Sequence, residues 1–175
     1  YNPKTRREQL PFFDYYGLHR TARNLAAAVG ILHAKGYVIG DVNESNILVS
    51  DRALIALVDT DSFQVRDKQR QVTYRCPVGK AEFTPAELQG ERFDTIDRSP
   101  EHDLFGLGVL LFQLLMEGTH PFDGVYLGAG EPPPTEARIA AGHFPYSPHV
   151  PYRAKPLAPP IAVLHPQLQR LFWQC

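Results

Sequence analysis

The most apolar segment of the chain is DLFGLGVLLFQLLMEG, at residues 103–118. Apolar residues occupy nearly every face of the helix that this segment would form, which is typical of a helix buried inside a core. The run is too short to span a membrane, and Gln113 and Glu117 interrupt it. Because Gly106 and Gly108 lower helix propensity, we expect another backbone to pack closely there. The segment therefore predicts a domain arranged around one central helix.

Three further helices are predicted from apolar spacing and capping residues. The longest, at residues 18–35, carries an apolar stripe at three- and four-residue steps and is followed by Gly36, a suitable C-terminal cap. A short helix is predicted at about 134–142 between Pro-containing stretches, and a last one opens at His165-Pro166. Residues 64–100 lack sustained periodicity and are predicted to be mostly irregular, with a helical turn at TPAEL. The sequence thus predicts a mainly α fold, although the Pro-containing part could also be a linker to a second domain.

The composition argues against several classes of protein. The formal net charge of −1 comes from 18 basic and 19 acidic residues without long runs of either sign, so we expect no broad binding surface for nucleic acid or membrane. Cys76 and Cys175 are the only cysteines, so a disulfide scaffold is not expected and the cytoplasm, a reducing compartment, fits best. The histidines show no zinc-ligand spacing. The chain begins without Met or a hydrophobic leader, which suggests a piece of a longer protein or a processed one.

A short β-hairpin is predicted within GDVNESNILVSDRALIALVDTDSF, at residues 40–63. Two apolar runs, 47–49 and 54–58, are separated by Ser-Asp-Arg at 50–52, a connection of hairpin length made of turn-forming residues. If the runs pair antiparallel, the entry of the first lies beside the exit of the second.

Three polar residues lie at that end of the predicted hairpin. Asp41 and Asn46 precede the first run, and Asp59 follows the second. Carboxylate and amide oxygens are hard ligands that suit magnesium rather than zinc. A second interpretation is open at this point, because Asp and Asn are also common at strand ends as turn formers.

Four motifs in this order resemble the carboxy-terminal lobe of a protein kinase. They are Ile39-Gly40-Asp41 through Asn46 for the catalytic loop H-R-D-x-x-x-x-N, Asp59-Thr60-Asp61 for D-F-G, Pro85-Ala86-Glu87 for A-P-E, and Asp103 at the start of the central helix. Together they cover nearly the whole chain. Within the family, the sequence is similar to a bacterial group whose members often carry helix-hairpin-helix DNA-binding segments, and no such segment is present in this sequence.

The resemblance implies a role for each of the five matched residues. Asp41 would be the catalytic base, and Asn46 and Asp59 would hold magnesium on the phosphates of ATP. Glu87 and Asp103 would be structural: Glu87 anchors the end of the activation segment, and Asp103 binds backbone amides of the catalytic loop. The implied activity is phosphoryl transfer from ATP to Ser or Thr of a protein substrate.

The chain also departs from the family pattern. Ile39-Gly40 replaces His-Arg before the catalytic Asp, so control through a phosphorylated loop paired to that Arg is not expected. Asn43 replaces the Lys two residues after the Asp, and Thr60-Asp61 replaces Phe-Gly. Asp61 would either supply another oxygen to the metal or occupy a turn, and the turn is favoured.

The family's Gly-rich loop, its strand Lys and its helix Glu have no counterparts here, which predicts that residues 1–175 are one C-terminal lobe, cut at both ends and lacking the N-terminal lobe. An apolar face around the hairpin and Phe63 would then be exposed, favouring the missing lobe or self-association as partner. Two other interpretations remain: a pseudokinase that binds a partner without catalysis, and a helical interaction module.

Overall fold

A computed structural model describes residue 6 and residues 8–174 of the chain. Its regular structure is mainly helical, with small antiparallel strand pairs between the helices. The longer helices are α1 Tyr15–Ala34, α2 Pro100–Leu115, α3 Thr135–Ala140 and α4 Pro166–Gln174. In the part of the chain that the structure describes, no helix combines the length and the hydrophobicity needed to cross a membrane.

Helix α1 begins three residues before the predicted start because Asp14 caps it. The Asp14 side chain accepts a hydrogen bond from the Gly17 backbone N–H at 3.0 Å. The helix ends at Ala34, and Gly36 follows with a φ of +84°, which suits a residue without a side chain. The predicted apolar stripe is confirmed, and its buried members are Leu18, Ala22, Leu25 and Val29.

Helix α2 is the central helix that the sequence predicts, shifted by three residues toward the N-terminus. Ser99 is its N-cap and Pro100 its first residue, a position where Pro loses no helical hydrogen bond. The predicted close approach at Gly106 is confirmed: a Cβ atom there would lie 2.9 Å from the backbone oxygen of Val42. The central helix is therefore in direct contact with the loop that precedes the first hairpin.

Three short antiparallel strand pairs occur among the described residues. Strands β1 Ile47–Val49 and β2 Ile55–Leu57 pair with Leu48 opposite Ala56, which confirms the predicted hairpin. The other pairs are β3 Val65–Asp67 with β4 Val72–Tyr74, and β5 Val125–Tyr126 with β6 Tyr152–Arg153. The first hairpin is held on α1, because the Asn24 side chain donates to the backbone oxygen of Ala53 at 2.8 Å.

The β3–β4 hairpin corrects the prediction that residues 64–100 are mostly irregular. Its turn is stabilised by Asp67, whose side chain accepts the backbone N–H groups of Gln69 and Arg70 at 2.9 and 3.0 Å. After β4 the prediction holds, since the segment contains single helical turns only, including the predicted turn at Ala86–Leu88.

The Pro-containing stretches pack on the same core as the central helix. The ring of Phe112, fully buried on α2, lies 5.6 Å from Phe144 and 5.1 Å from Phe172 of α4. Cys76 is a buried free thiol, while Cys175 lies outside the described residues. The C-terminal half thus packs on the last turn of α2, whereas the loop at 39–46 packs on the middle of α2, at Leu107 and Leu110.

Candidate active site

The loop between α1 and β1 brings Asp41 and Asn46 into direct contact. The Asn46 side-chain nitrogen donates to Oδ2 and to the backbone oxygen of Asp41, at 3.1 and 3.0 Å. Asn43, which is buried, donates to the other carboxylate oxygen, Oδ1, at 2.8 Å. Two amide groups therefore fix the orientation of the Asp41 carboxylate, and the amide oxygen of Asn46 stays outside these bonds.

The backbone of this loop is hydrogen-bonded to the side chain of Asp103. One carboxylate oxygen accepts the Ile39 N–H at 2.7 Å, and the other accepts the Gly40 N–H at 2.7 Å. His33 of α1 lies 2.8 Å from the first oxygen through its Nε2 atom. Asp103 is 1% exposed, so a carboxylate buried this deeply has the donors that its burial requires.

Asp59 lies at the same end of the β1–β2 hairpin as Asn46. The antiparallel pairing continues one step past the strands, where the Val58 backbone N–H donates to the backbone oxygen of Asn46 at 3.0 Å. Asp59 follows directly, with a φ of 59° and an exposed side chain that makes no capping hydrogen bond. A left-handed backbone conformation is uncommon for residues other than glycine, although Asp adopts it more readily than most residues. Asp59 is thus a residue type that suits the unusual backbone angles at this position.

The remaining predicted residues lie in single helical turns. Asp61 belongs to the Thr60–Ser62 turn and is exposed. The Glu87 carboxylate is 62% exposed, and its Oε1 atom lies 3.8 Å from Nε2 of His102. Within residues 6 and 8–174, the structure shows no group of three or more His, Cys, Asp or Glu side chains that could hold a metal ion.

A buried arginine that the sequence did not indicate also contacts the loop. Arg98 donates from its guanidinium group to the backbone oxygens of Gly40, Cys76 and Val78. It is 58 residues from Gly40 in sequence and lies in an irregular segment, so neither periodicity nor motif spacing marks it. The only sequence signal is the glycine immediately before Asp41, which leaves room for a neighbour.

Comparison with known proteins agrees with these motifs. The chain is 37% identical over 148 residues to protein kinase YegI of Escherichia coli O157:H7, covering 84% of this chain and 22% of that protein. It is 33% identical over 180 residues to protein kinase YegI of Escherichia coli strain K12, covering 99% of this chain and 27% of that protein. The chain is related to the protein kinases.

The chain also resembles eukaryotic protein kinases, over a shorter stretch. A 101-residue segment, 57% of this chain, is 32% identical to 7% of the probable serine/threonine-protein kinase irlC of Dictyostelium discoideum. No protein-family model matches the chain. The chain spans about a quarter of the length of the two bacterial relatives, at 22% and 27%.

A second cation of this chain, Lys80, contacts the loop that leads to Asn46. The Lys80 ammonium group lies 2.9 Å from Oε1 of Glu44 and 2.7 Å from Oγ of Ser45, on the helical turn that leads to Asn46. Burial alone would raise the pKa of Glu44, but the hydrogen bond and charge of Lys80 hold that pKa below its ordinary value. Glu44 and Lys80 border a groove of about 690 Å³ that extends toward His120 and Asp123.

Proposed function

We propose that this chain is the carboxy-terminal catalytic lobe of a protein kinase that transfers the γ-phosphoryl group of ATP to Ser or Thr of a protein substrate. The observation that carries the proposal is the Asp41 carboxylate, oriented by two amides on a loop whose backbone is bound by Asp103. The relatives named protein kinase support the reaction class. The low cysteine content suits a cytoplasmic protein.

In this proposal Asp41 acts on the hydroxyl group of the substrate. Its carboxylate would accept the proton of that hydroxyl and aim the oxygen at the γ-phosphate. A base must keep its geometry through the transfer, and the amides of Asn43 and Asn46 supply that restraint at 2.8 and 3.1 Å. Asp103 acts one step further away, as a structural residue that fixes the loop backbone.

Magnesium would be held by Asn46 and Asp59. The donors fit a hard cation, because the amide oxygen of Asn46 is outside the bonds to Asp41 and the Asp59 carboxylate is exposed at the same end of the hairpin. Two protein oxygens leave the other positions to water and phosphate oxygens, as magnesium commonly requires. The ion would neutralise charge on the phosphates of ATP.

An N-terminal lobe elsewhere in the parent protein would bind and position the phosphates of ATP. The β1–β2 hairpin exposes Leu48, Val49 and Leu54, an apolar face suited to that lobe or, in the isolated chain, to self-association. Phe63 was predicted to belong to this face, but it is half-buried and packs against the core cluster beneath the loop. We therefore expect the isolated chain to transfer phosphate at near background rates.

The test compares the parent protein with two variants. Asp41→Asn removes the proposed base, and Asp51→Asn makes the same change on the exposed hairpin turn. We expect Asp41→Asn to lower radiolabelled phosphate transfer by roughly 10²–10⁴-fold, and Asp51→Asn to have no effect. Equal activity of Asp41→Asn and the parent would show that Asp41 is not the catalytic base.

A pseudokinase is the second candidate function, favoured by Asn43 at a position where the family has Lys. Nucleotide binding separates the two candidates. Magnesium-dependent binding of a fluorescent ATP analogue without transfer to any protein or peptide would support the pseudokinase. Binding together with transfer that Asp41→Asn abolishes would support the enzyme.

A further inference from the structure

We propose that Arg98 is a positioning residue that fastens the loop carrying Asp41 to the segment at 76–78, so that the site is assembled without phosphorylation of the chain. This inference rests on the proposed function, because it concerns the geometry of the same loop. The residue is 5% exposed and is not among the residues that the kinase motifs mark.

The guanidinium group joins two separate segments. One terminal nitrogen donates to the backbone oxygen of Gly40, directly before Asp41. The other donates to the backbone oxygens of Cys76, at 3.2 Å, and of Val78. The planar fork of arginine places its donors on separate nitrogens that reach carbonyl groups on both sides, whereas the donors of a lysine ammonium all lie on one nitrogen.

The surroundings of Arg98 hold its charge without an ion pair. The guanidinium carbon lies 3.9 Å above the ring of Phe93, a cation–π contact. None of the salt bridges found among the described residues includes Arg98, and its buried Nε atom has no hydrogen-bond partner. Burial lowers the pKa of Arg98, yet arginine stays protonated in proteins. A buried cation bound mainly by carbonyl oxygens is costly, so a purely space-filling role would be better met by an apolar side chain.

Arg98 is itself held in place by Gln64. The Gln64 side chain accepts the Arg98 backbone N–H at 2.8 Å and donates to the Arg98 backbone oxygen at 2.6 Å. The Gln64 backbone in turn pairs with Val38, two residues before Gly40, at 2.8 and 3.2 Å. The contacts therefore form a closed ring, Val38–Gln64–Arg98–Gly40, that fixes the approach of the chain to Asp41.

Glycine at position 40 is required for this arrangement. Its φ is +76°, and a Cβ atom there would lie 2.6 Å from the Cβ atom and 2.7 Å from the Sγ atom of Cys76. The motif that the chain resembles has arginine at this position, and that side chain would collide with Cys76. The positive charge next to the loop is instead supplied by Arg98, from a third segment of the chain.

The experiment uses the parent protein with Arg98→Lys and Arg98→Met, and with Arg92→Lys and Arg92→Met as controls on the exposed part of the same segment. We expect Arg98→Lys to lower kcat by about 10-fold and Arg98→Met by about 100-fold, with little change in the KM for ATP, because misplacing a catalytic group by about 1 Å costs this much. The Arg92 variants should match the parent. Phosphatase treatment of the parent should leave kcat unchanged.

Hydrogen exchange provides a readout that does not depend on activity. Faster exchange of the backbone amides at 39–46 and 76–78 is expected in Arg98→Lys, at a melting temperature within a few degrees of the parent. If Arg98→Met does not fold, Gln64→Met, which releases the Arg98 backbone but keeps the guanidinium, carries the test and should show an intermediate fall in kcat.

Three results would overturn the inference. They are an unchanged kcat with unchanged exchange in Arg98→Lys, a fall in kcat that only matches a fall in the folded fraction, and loss of activity after phosphatase treatment. If the parent transfers no phosphate, the proposed function fails, and the exchange data alone then decide whether Arg98 fastens the two segments.

Discussion

The carboxylate of Asp103 lies 2.7 Å from the backbone nitrogen of Gly40, although 63 residues separate the two in sequence. The contact joins the first turn of the central helix to the residue before Asp41. Since the other oxygen of Asp103 binds Ile39, two successive peptide units are fixed by one side chain. The stability of the core and the geometry of the candidate site therefore depend on the same carboxylate.

Asp103→Ala is expected to destabilise the chain. The substitution leaves the buried N–H of Ile39, the half-buried N–H of Gly40 and the ring of His33 without their acceptor, and each unsatisfied buried group costs about 1–3 kcal/mol. We expect a loss of about 3 kcal/mol in the free energy of unfolding, measured by urea denaturation. Glu101→Ala is the matched control, because it removes an exposed carboxylate from the same turn of α2 and should cost much less than Asp103→Ala. Equal losses for the two variants would contradict the structural role of Asp103.

Alanine substitutions at two glycines with positive φ distinguish the cost of backbone strain from the cost of steric crowding. Gly36, at +84°, has open space around its missing side chain, whereas Gly40, at +76°, faces Cys76. Gly36→Ala should cost only the left-handed conformation, about 1–2 kcal/mol. Gly40→Ala should cost about 1–3 kcal/mol more, because the new methyl group collides with Cys76. The same denaturation experiment measures both, and a Gly40→Ala loss no larger than that of Gly36→Ala would show that Cys76 yields without cost.

The parts of the fold that the sequence predicts are those set by local patterns. The stripe on α1, the all-round apolar surface of α2 and the β1–β2 hairpin each follow from residues within 20 positions of one another. The helix starts were misplaced because Asp14 and Ser99 cap them earlier than the apolar residues indicate. The β3–β4 hairpin was missed because its strands are only three residues long, so the alternation of Val72, Thr73 and Tyr74 is too short to stand out as a pattern.

The candidate site could be predicted only in part, because several of its contacts join residues that are far apart in sequence. Asp41 and Asn46 are five residues apart, so a motif can contain both. The contact between Asp103 and Gly40 is long-range, and it was expected only from the resemblance to kinases. Arg98 was missed because its partners are backbone carbonyls, which every residue has and which no sequence pattern distinguishes.

Two glycines within helices should respond to alanine in opposite directions. Gly106 on α2 has no room for a Cβ atom, which would lie 2.9 Å from the oxygen of Val42 and 3.2 Å from that of Phe83. Gly30 on α1 is exposed and has nothing within 4 Å of that position. Gly106→Ala should destabilise the chain by about 1–3 kcal/mol, whereas Gly30→Ala should stabilise it by about 0.5–1 kcal/mol. Thermal unfolding followed by circular dichroism measures both changes, and stabilisation by Gly106→Ala would show that α2 does not pack against the loop.

His120 is expected to make the stability of the chain depend on pH. Burial lowers the pKa of His120 below its ordinary value of about 6.5. Its Nε2 atom lies 3.0 Å from the backbone oxygen of Glu82, and its Nδ1 atom accepts the Phe122 N–H at 3.2 Å, so both nitrogens are satisfied in the neutral ring. A second proton would place two donors against each other at Nδ1.

The sign of the effect follows from that depressed pKa. Above about pH 6.5 the ring is neutral in both the folded and the unfolded chain, and its contribution to stability is complete. Below that value the unfolded chain takes up the proton first, so the free energy of unfolding falls until the pH passes the lower pKa of the folded state. His120→Gln removes the titrating group, and urea denaturation between pH 5 and 8 should then show a shallower fall toward acid. If His120→Gln and the parent chain lose stability in parallel, protonation of His120 is not what weakens the fold in acid.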